Sequence, residues 1–122
     1  MSSICVFGVF VADLCFFADK IPIKGETVLG KNHIVGPGGK GSNQAIAAAR
    51  LGGNVNFITK IGDDQNAKMA LKLYEEAGIN TDSIIQDPNQ STGVAGIMIN
   101  EKTGDNACLL YTSDAADECL CV

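Results

Sequence analysis

At 122 residues and 46% hydrophobic side chains, the chain is long enough for one small domain burying roughly two thirds of its unfolded surface, and no apolar run is long enough to span a bilayer. A net charge of −5 argues against a nucleic-acid or anionic-membrane surface, which would need clustered basic residues, and leaves a small molecule as the expected partner. The five cysteines, Cys5, Cys15, Cys108, Cys119 and Cys121, lack paired zinc-type spacing. Their odd count fits reduced thiols, with Cys5 and Cys15 expected as small buried apolar groups. Residues 1–3 lead directly into an apolar run without a basic n-region, so no signal peptide is expected and the cytoplasm is the expected compartment.

Residues 4–7 form a short continuous apolar run ending at Gly8, the pattern of a buried parallel strand. Asp13 follows just beyond its carboxyl end, where open α/β sheets gather ligands. A turn-capping aspartate explains the same residue. Segments 14–18 and 28–35 are apolar or mixed and are separated by the turn-rich residues 21–25. His33, the single histidine, has no partner pattern around it and is expected to be structural or superficial.

Residues 43–51 predict a helix apolar on most faces and therefore buried, stopped by Gly52 and Gly53. A strand is predicted over 55–61, closed by Gly62. Asp63 and Asp64 then open a second helix whose face Ala67, Ala70, Leu71, Tyr74 and Ala77 keeps helical spacing until Gly78. Residues 83–85 and 93–100 predict strands, and a turn over 102–105 leads to another strand at 107–110. From Tyr111 the strand pattern breaks into a polar segment. Residues 111–122 are accordingly set apart from 1–110 as a tail expected to be a junction artefact, disordered and dispensable.

The chemistry is expected where Gly36-Pro37-Gly38-Gly39-Lys40-Gly41-Ser42-Asn43-Gln44-Ala45 opens the first helix. Glycines let the backbone approach a ligand and adopt positive φ, and helix-start N–H groups point outward without intrahelical partners. Several explanations compete. A nucleotide P-loop needs Gly-Lys-Ser/Thr, whereas the order here is Lys40-Gly41-Ser42. Gly36, Gly38 and Gly41 fit the dinucleotide pattern G-x-G-x-x-G, but a long excursion separates them from the first strand. Lys60 also stands where an acidic residue would bond a ribose. A tight turn that merely starts a helix is the bland alternative.

The run from Gly38 to Ala45, with Gly52 and Gly62 at matching spacing, resembles the signature of the ribokinase-like, or phosphofructokinase-B, family of carbohydrate kinases. Supporting matches are Gly8 with Asp13, Pro22 to Thr27, Ile61 to Asp64, Ala77 to Ile79 and Ser91 to Ala95, so the likeness extends to about Ala107. It implies the amino-terminal part of an α/β sandwich, a mostly parallel sheet flanked by helices. A small β-strand lid at about 14–35 and 93–110 would cover the sugar and exclude water. It also implies transfer of the terminal phosphate of ATP to a sugar hydroxyl, with Asp13 and Asn43 holding hydroxyls. Gly38, Gly39 and Gly41 would let the backbone close on the ring, and Lys40 would add a polar or cationic contact. ATP, Mg²⁺ and a monovalent cation are implied for the complete enzyme, and a homodimer through lid strands is suggested, although exposed edges explain the same pattern.

No Gly-Ala-Gly-Asp tetrad, the family's source of the catalytic base, occurs in the 122 residues. The chain is therefore expected to be a catalytically inactive fragment carrying the sugar-binding half, with no catalytic or metal-ligating residue of its own. A non-catalytic sugar-binding or dimerisation module is the alternative. One departure concerns the acceptor. Ribokinases proper carry an asparagine two residues before the aspartate matching Asp13, and here that position is Val11.

Overall fold

The structure, a computed structural model, describes residues 2–112. In chain order its elements are β1 (Ser3–Phe7), β2 (Val11–Ala18), β3 (Asn32–Gly38), α1 (Lys40–Arg50), β4 (Asn54–Ile61), α2 (Gln65–Ala77), β5 (Ile84–Gln86), β6 (Gly93–Asn100) and β7 (Asn106–Tyr111). Strict alternation in β4 turns Val55, Phe57, Thr59 and Ile61 inward. β1 and β5 lie parallel on either side of β4. The two helices supply most of the rest of the core, joined by Phe10, Ala12 and Ile79, and Tyr74 meets Phe57 and Phe10 edge-to-face at ring separations of 5.2 and 6.3 Å. A second sheet, ordered β3-β2-β6-β7, is antiparallel except for the parallel β2–β6 pair. The parallel sheet with its helices agrees with the expected α/β fold.

Helix termini follow local chemistry. Asp64 caps α2 by accepting from the Ala67 N–H at 2.8 Å, and Gly78 ends it at φ 72°. α1 ends where Gly52 takes φ 88°. There the N–H groups of Gly52 and Gly53 return to the carbonyls of Ala49 and Ala48. α1 begins at Lys40, earlier than the expected residue 43, and only Ser42, Ala45 and Ile46 are buried. The expectation of an all-round buried helix is corrected: alanine on the outer face costs little in water, so apolar composition did not require a second covering layer.

β1 also differs from the expected buried strand. Only Val6 turns toward the core, whereas Ile4, Cys5 and Phe7 are exposed, Phe7 at 68%. Among the described residues β1 pairs with β4 alone, so its outer edge and outward pleat remain uncovered. The expected burial of Cys5 fails for this reason, and Cys15 is half-buried. His33 is exposed and stacks on Phe16 at a centroid distance of 6.3 Å. The boundary expected between residues 110 and 111 falls inside β7. The remainder of the expected tail, 113–122, lies outside the described residues.

Candidate functional site

Asp13 is a strand residue rather than a turn cap. β2 starts at Val11 because its full length is matched by partners, Val11 to Phe17 against β3 and Val11 to Ala18 against β6. Period-two alternation puts Val11, Asp13 and Cys15 on one face of β2. The opposed residues on that face include Gly38 beside Val11 and Gly36 beside Asp13. β3 runs unbroken into the glycine stretch, so this strand and the helix start form one continuous wall, which the sequence-based boundaries at 28–35 and 43 had separated.

The glycines of this wall have distinct physical causes. A Cβ on Gly38 would stand 2.5 Å from Cγ and Oδ1 of Asp13 and nearer still to Oδ2, so the carboxylate occupies space that any other residue would fill. Gly39 has φ 95°, and a Cβ there would press on the backbone of Val9, Phe10 and Val11. A Cβ on Gly41 would lie 2.8 Å from the Cα of Gly8, which brings the end of the β1 segment against the first turn of α1. α1 is held from behind by Ser42, whose Oγ shares a 2.8 Å buried hydrogen bond with the Tyr74 hydroxyl. Burial disfavours ionisation of that phenol and pushes its pKa well above the usual range.

Asp13 and Gly38 are thus brought together directly, with Gly39 against the start of β2. Lys40 and Asn43 sit on the first turn of α1, three residues apart and therefore on one face, and both are exposed. Burial holds the Asp13 carboxyl above its usual range. Burial, then the Asp13 charge, pushes the neighbouring Cys15 thiol up. A carboxylate accepts hydroxyl protons, an asparagine amide donates and accepts, and Gly39 contributes no side chain to cap the helix. This combination suits a small polyhydroxylated molecule. The sequence singled out Val11 two residues before Asp13 but not Cys15 two residues after it, although the alternation Val11, Asp13, Cys15 was there to find. Among the described residues no group of three or more acidic, histidine or cysteine side chains is placed to hold a metal ion.

Residues 1–120 match the pfkB family carbohydrate kinases, and the chain belongs to that family. It is 42% identical over 110 residues to the ribokinase of Bacillus subtilis (strain 168), a match covering 90% of this chain and 37% of that protein. It is 37% identical over 107 residues to a deoxyribokinase of Salmonella typhi, covering 88% of this chain and 35% of that protein. Among solved structures, ribokinase from Cryptococcus neoformans var. grubii serotype A in complex with ADP superposes with a TM-score of 0.81 at 35% identity. That match covers 90% of this chain and 35% of the other. The chain thus spans about a third of the length of the relatives it matches. Family membership favours the kinase class over a dinucleotide-binding domain or a non-catalytic module. No described helix is long and apolar enough to cross a membrane.

Proposed function

We propose that this chain carries the acceptor-binding part of an ATP-dependent carbohydrate kinase. In the whole enzyme a sugar hydroxyl oxygen forms a bond to the terminal phosphorus of ATP as the bond to the ADP oxygen breaks, and the hydroxyl proton passes to a base. The observation that carries this is the Asp13 carboxylate lodged in the space left by the missing Cβ of Gly38, at the mouth of α1. Asp13 and Asn43 hold sugar hydroxyls, the backbone of Gly38, Gly39 and Gly41, packed closely on Asp13, the start of β2 and Gly8, forms the wall facing the ring, and Lys40 adds a cationic contact at the rim. Phosphoryl transfer relies on positioning and on charge stabilisation around the moving phosphate. The residues here serve the first task. The base, the ATP contacts, Mg²⁺ and any monovalent cation belong to the two thirds of the relatives' length that this chain does not span.

The four-stranded sheet acts as a lid over the sugar, and its edge strands β3 and β7 pair two copies of the enzyme. The exposed Ile34 and Leu109 on those edges support this. A cytoplasmic setting accords with the reduced thiols of Cys5 and Cys15.

The acceptor differs from ribose in this proposal. Val11 shares the Asp13 face and its side chain has no donor or acceptor, so a ribose hydroxyl directed at that position has no partner. Leaving such a group unpaired costs about 1 to 3 kcal/mol, enough to change acceptor preference tenfold or more. Titrating the ¹⁵N-labelled chain with ribose, deoxyribose, fructose and nucleosides tests the site. Saturable shifts at the amides of residues 38–43 are expected, strongest for an acceptor other than ribose. No response there to any of these sugars would overturn the assignment, and strongest binding of ribose would overturn only the valine argument. The chain alone should release no ADP from ATP in the presence of sugar, and sugar-dependent release above a blank would refute the division of labour.

A further inference from the structure

The acceptor strand β2 is flanked by two strands, and each is anchored at the start of a helix. On one side β3 passes through Gly39 directly into α1. On the other, β6 begins at Gly93, immediately after Thr92, which is 1% exposed. The Thr92 N–H donates to Oδ2 of Asp64 at 2.8 Å, and its hydroxyl donates to Oδ1 of Asp64 at 2.8 Å. The same hydroxyl accepts from the Gly62 N–H at 3.0 Å. Asp64 at the same time caps α2 through Ala67. Gly62 lies so close to this crossing that a Cβ would stand 2.8 Å from the Thr92 nitrogen. Upstream the crossing segment is fastened again, by the Asp87 N–H to the Ile61 carbonyl at 2.8 Å and by Lys60 to Asp87 at 2.9 Å.

Capping a helix needs only one carboxylate oxygen and one N–H, so the further bonds to Thr92 have another consequence. β6 is parallel to β2, with Gly93 opposite Val11 and Ala95 opposite Asp13. The base of this sheet enters the core at Phe10 and Ala12, whereas farther out Phe16 is exposed, so its tilt is set at the base. We propose that Asp64 and Thr92 are positioning residues of the acceptor site. Their network latches the entry of β6 to the start of α2 and so fixes how Asp13 faces Gly38 and Gly39. The role of Asp13 toward sugar rests on the function proposed above; the latch rests on the bonds just given.

Thr92→Val keeps the side-chain shape and removes both hydroxyl bonds, and Thr92→Ser keeps the hydroxyl. In the 122-residue chain, Thr92→Val should speed amide exchange at residues 11–13 and 93–95 by roughly tenfold or more. It should also move the NMR titration of the Asp13 carboxyl down toward the usual carboxylate range. Amides of β4 and α1 should exchange as before, and Thr92→Ser should behave as the unmodified chain. Asp64→Asn, which places a donor opposite a donor, should reproduce Thr92→Val. An unmoved Asp13 titration overturns the latch, as does exchange that rises equally in β4 and α1 or a Thr92→Ser chain that behaves like Thr92→Val. If no sugar shifts the amides of residues 38–43 while Thr92→Val still moves Asp13, the acceptor reading fails and the latch stands.

Discussion

Gly38→Ala tests the contact on which the proposed acceptor site depends. Gly38 is not among the glycines at positive φ, so its backbone admits alanine, which by itself would stabilise by about 0.4–1 kcal/mol through the unfolded chain. Against this, the new methyl would stand 2.5 Å from two atoms of the Asp13 carboxyl, where ordinary contact is about 3.5–4 Å. The carboxylate must swing away or β3 must shift, an overpacking cost of about 1–3 kcal/mol, leaving a net loss of about 1–2 kcal/mol. Gly39→Ala should cost more, because φ 95° is strained for alanine and the obstructing atoms are backbone, which cannot rotate aside. The Asp13→Ala background separates the two. There the Gly38→Ala penalty should vanish or reverse, a coupling of about 1–3 kcal/mol equal to the overpacking cost, and the Gly39→Ala penalty should persist. Opening free energies from amide exchange in α1 and along the β2–β3 ladder measure both without requiring a global transition. An undiminished Gly38→Ala penalty in the Asp13→Ala chain would refute the reasoning.

Tyr74→Phe should destabilise by about 1–3 kcal/mol by leaving the buried Ser42 hydroxyl unpaired, and adding Ser42→Ala should recover part of that loss in the same exchange measurement. Burial opposes ionisation of Asp64, but the hydrogen bonds from Thr92 and Ala67 outweigh it and hold the carboxyl below its usual 3.8. Its contribution is therefore complete above that value and lost as pH falls through the lower folded value. Protection of the Thr92 amide should fade only on the acid side of 3.8, and fading that sets in above about pH 5 would contradict the assignment. Asp13 runs the other way: its raised value gives stability present below 3.8 and lost as pH rises through the folded value, so Asp13→Asn should abolish that loss. In a complete kinase carrying this segment, Asn43→Ala should reduce kcat/KM for the sugar about ten- to a hundredfold. KM for ATP should be unchanged, and an effect confined to ATP would move Asn43 out of the acceptor site.

Local signals in the sequence determined most of the elements by themselves. Alternation through Val55, Phe57, Thr59 and Ile61, the cap at Asp64 and the stop at Gly78 each depend on neighbours within a few residues. The glycine-rich start of α1 was legible for the same reason, and with it the family. Only the tertiary structure decided that β2 begins at Val11, because that boundary is set by pairing with residues more than twenty positions away in β3 and more than eighty away in β6. The same pairing turned Asp13 from an apparent loop residue into a strand residue facing Gly38, with Val11 and Cys15 on its face. Exposure of β1 and of the outer face of α1 was likewise hidden, since a strand's or helix's apolar content does not say how many layers cover it. The joint role of Asp64 and Thr92 was invisible in sequence, because two residues 28 positions apart meet only when the crossing into β6 folds back over the start of α2.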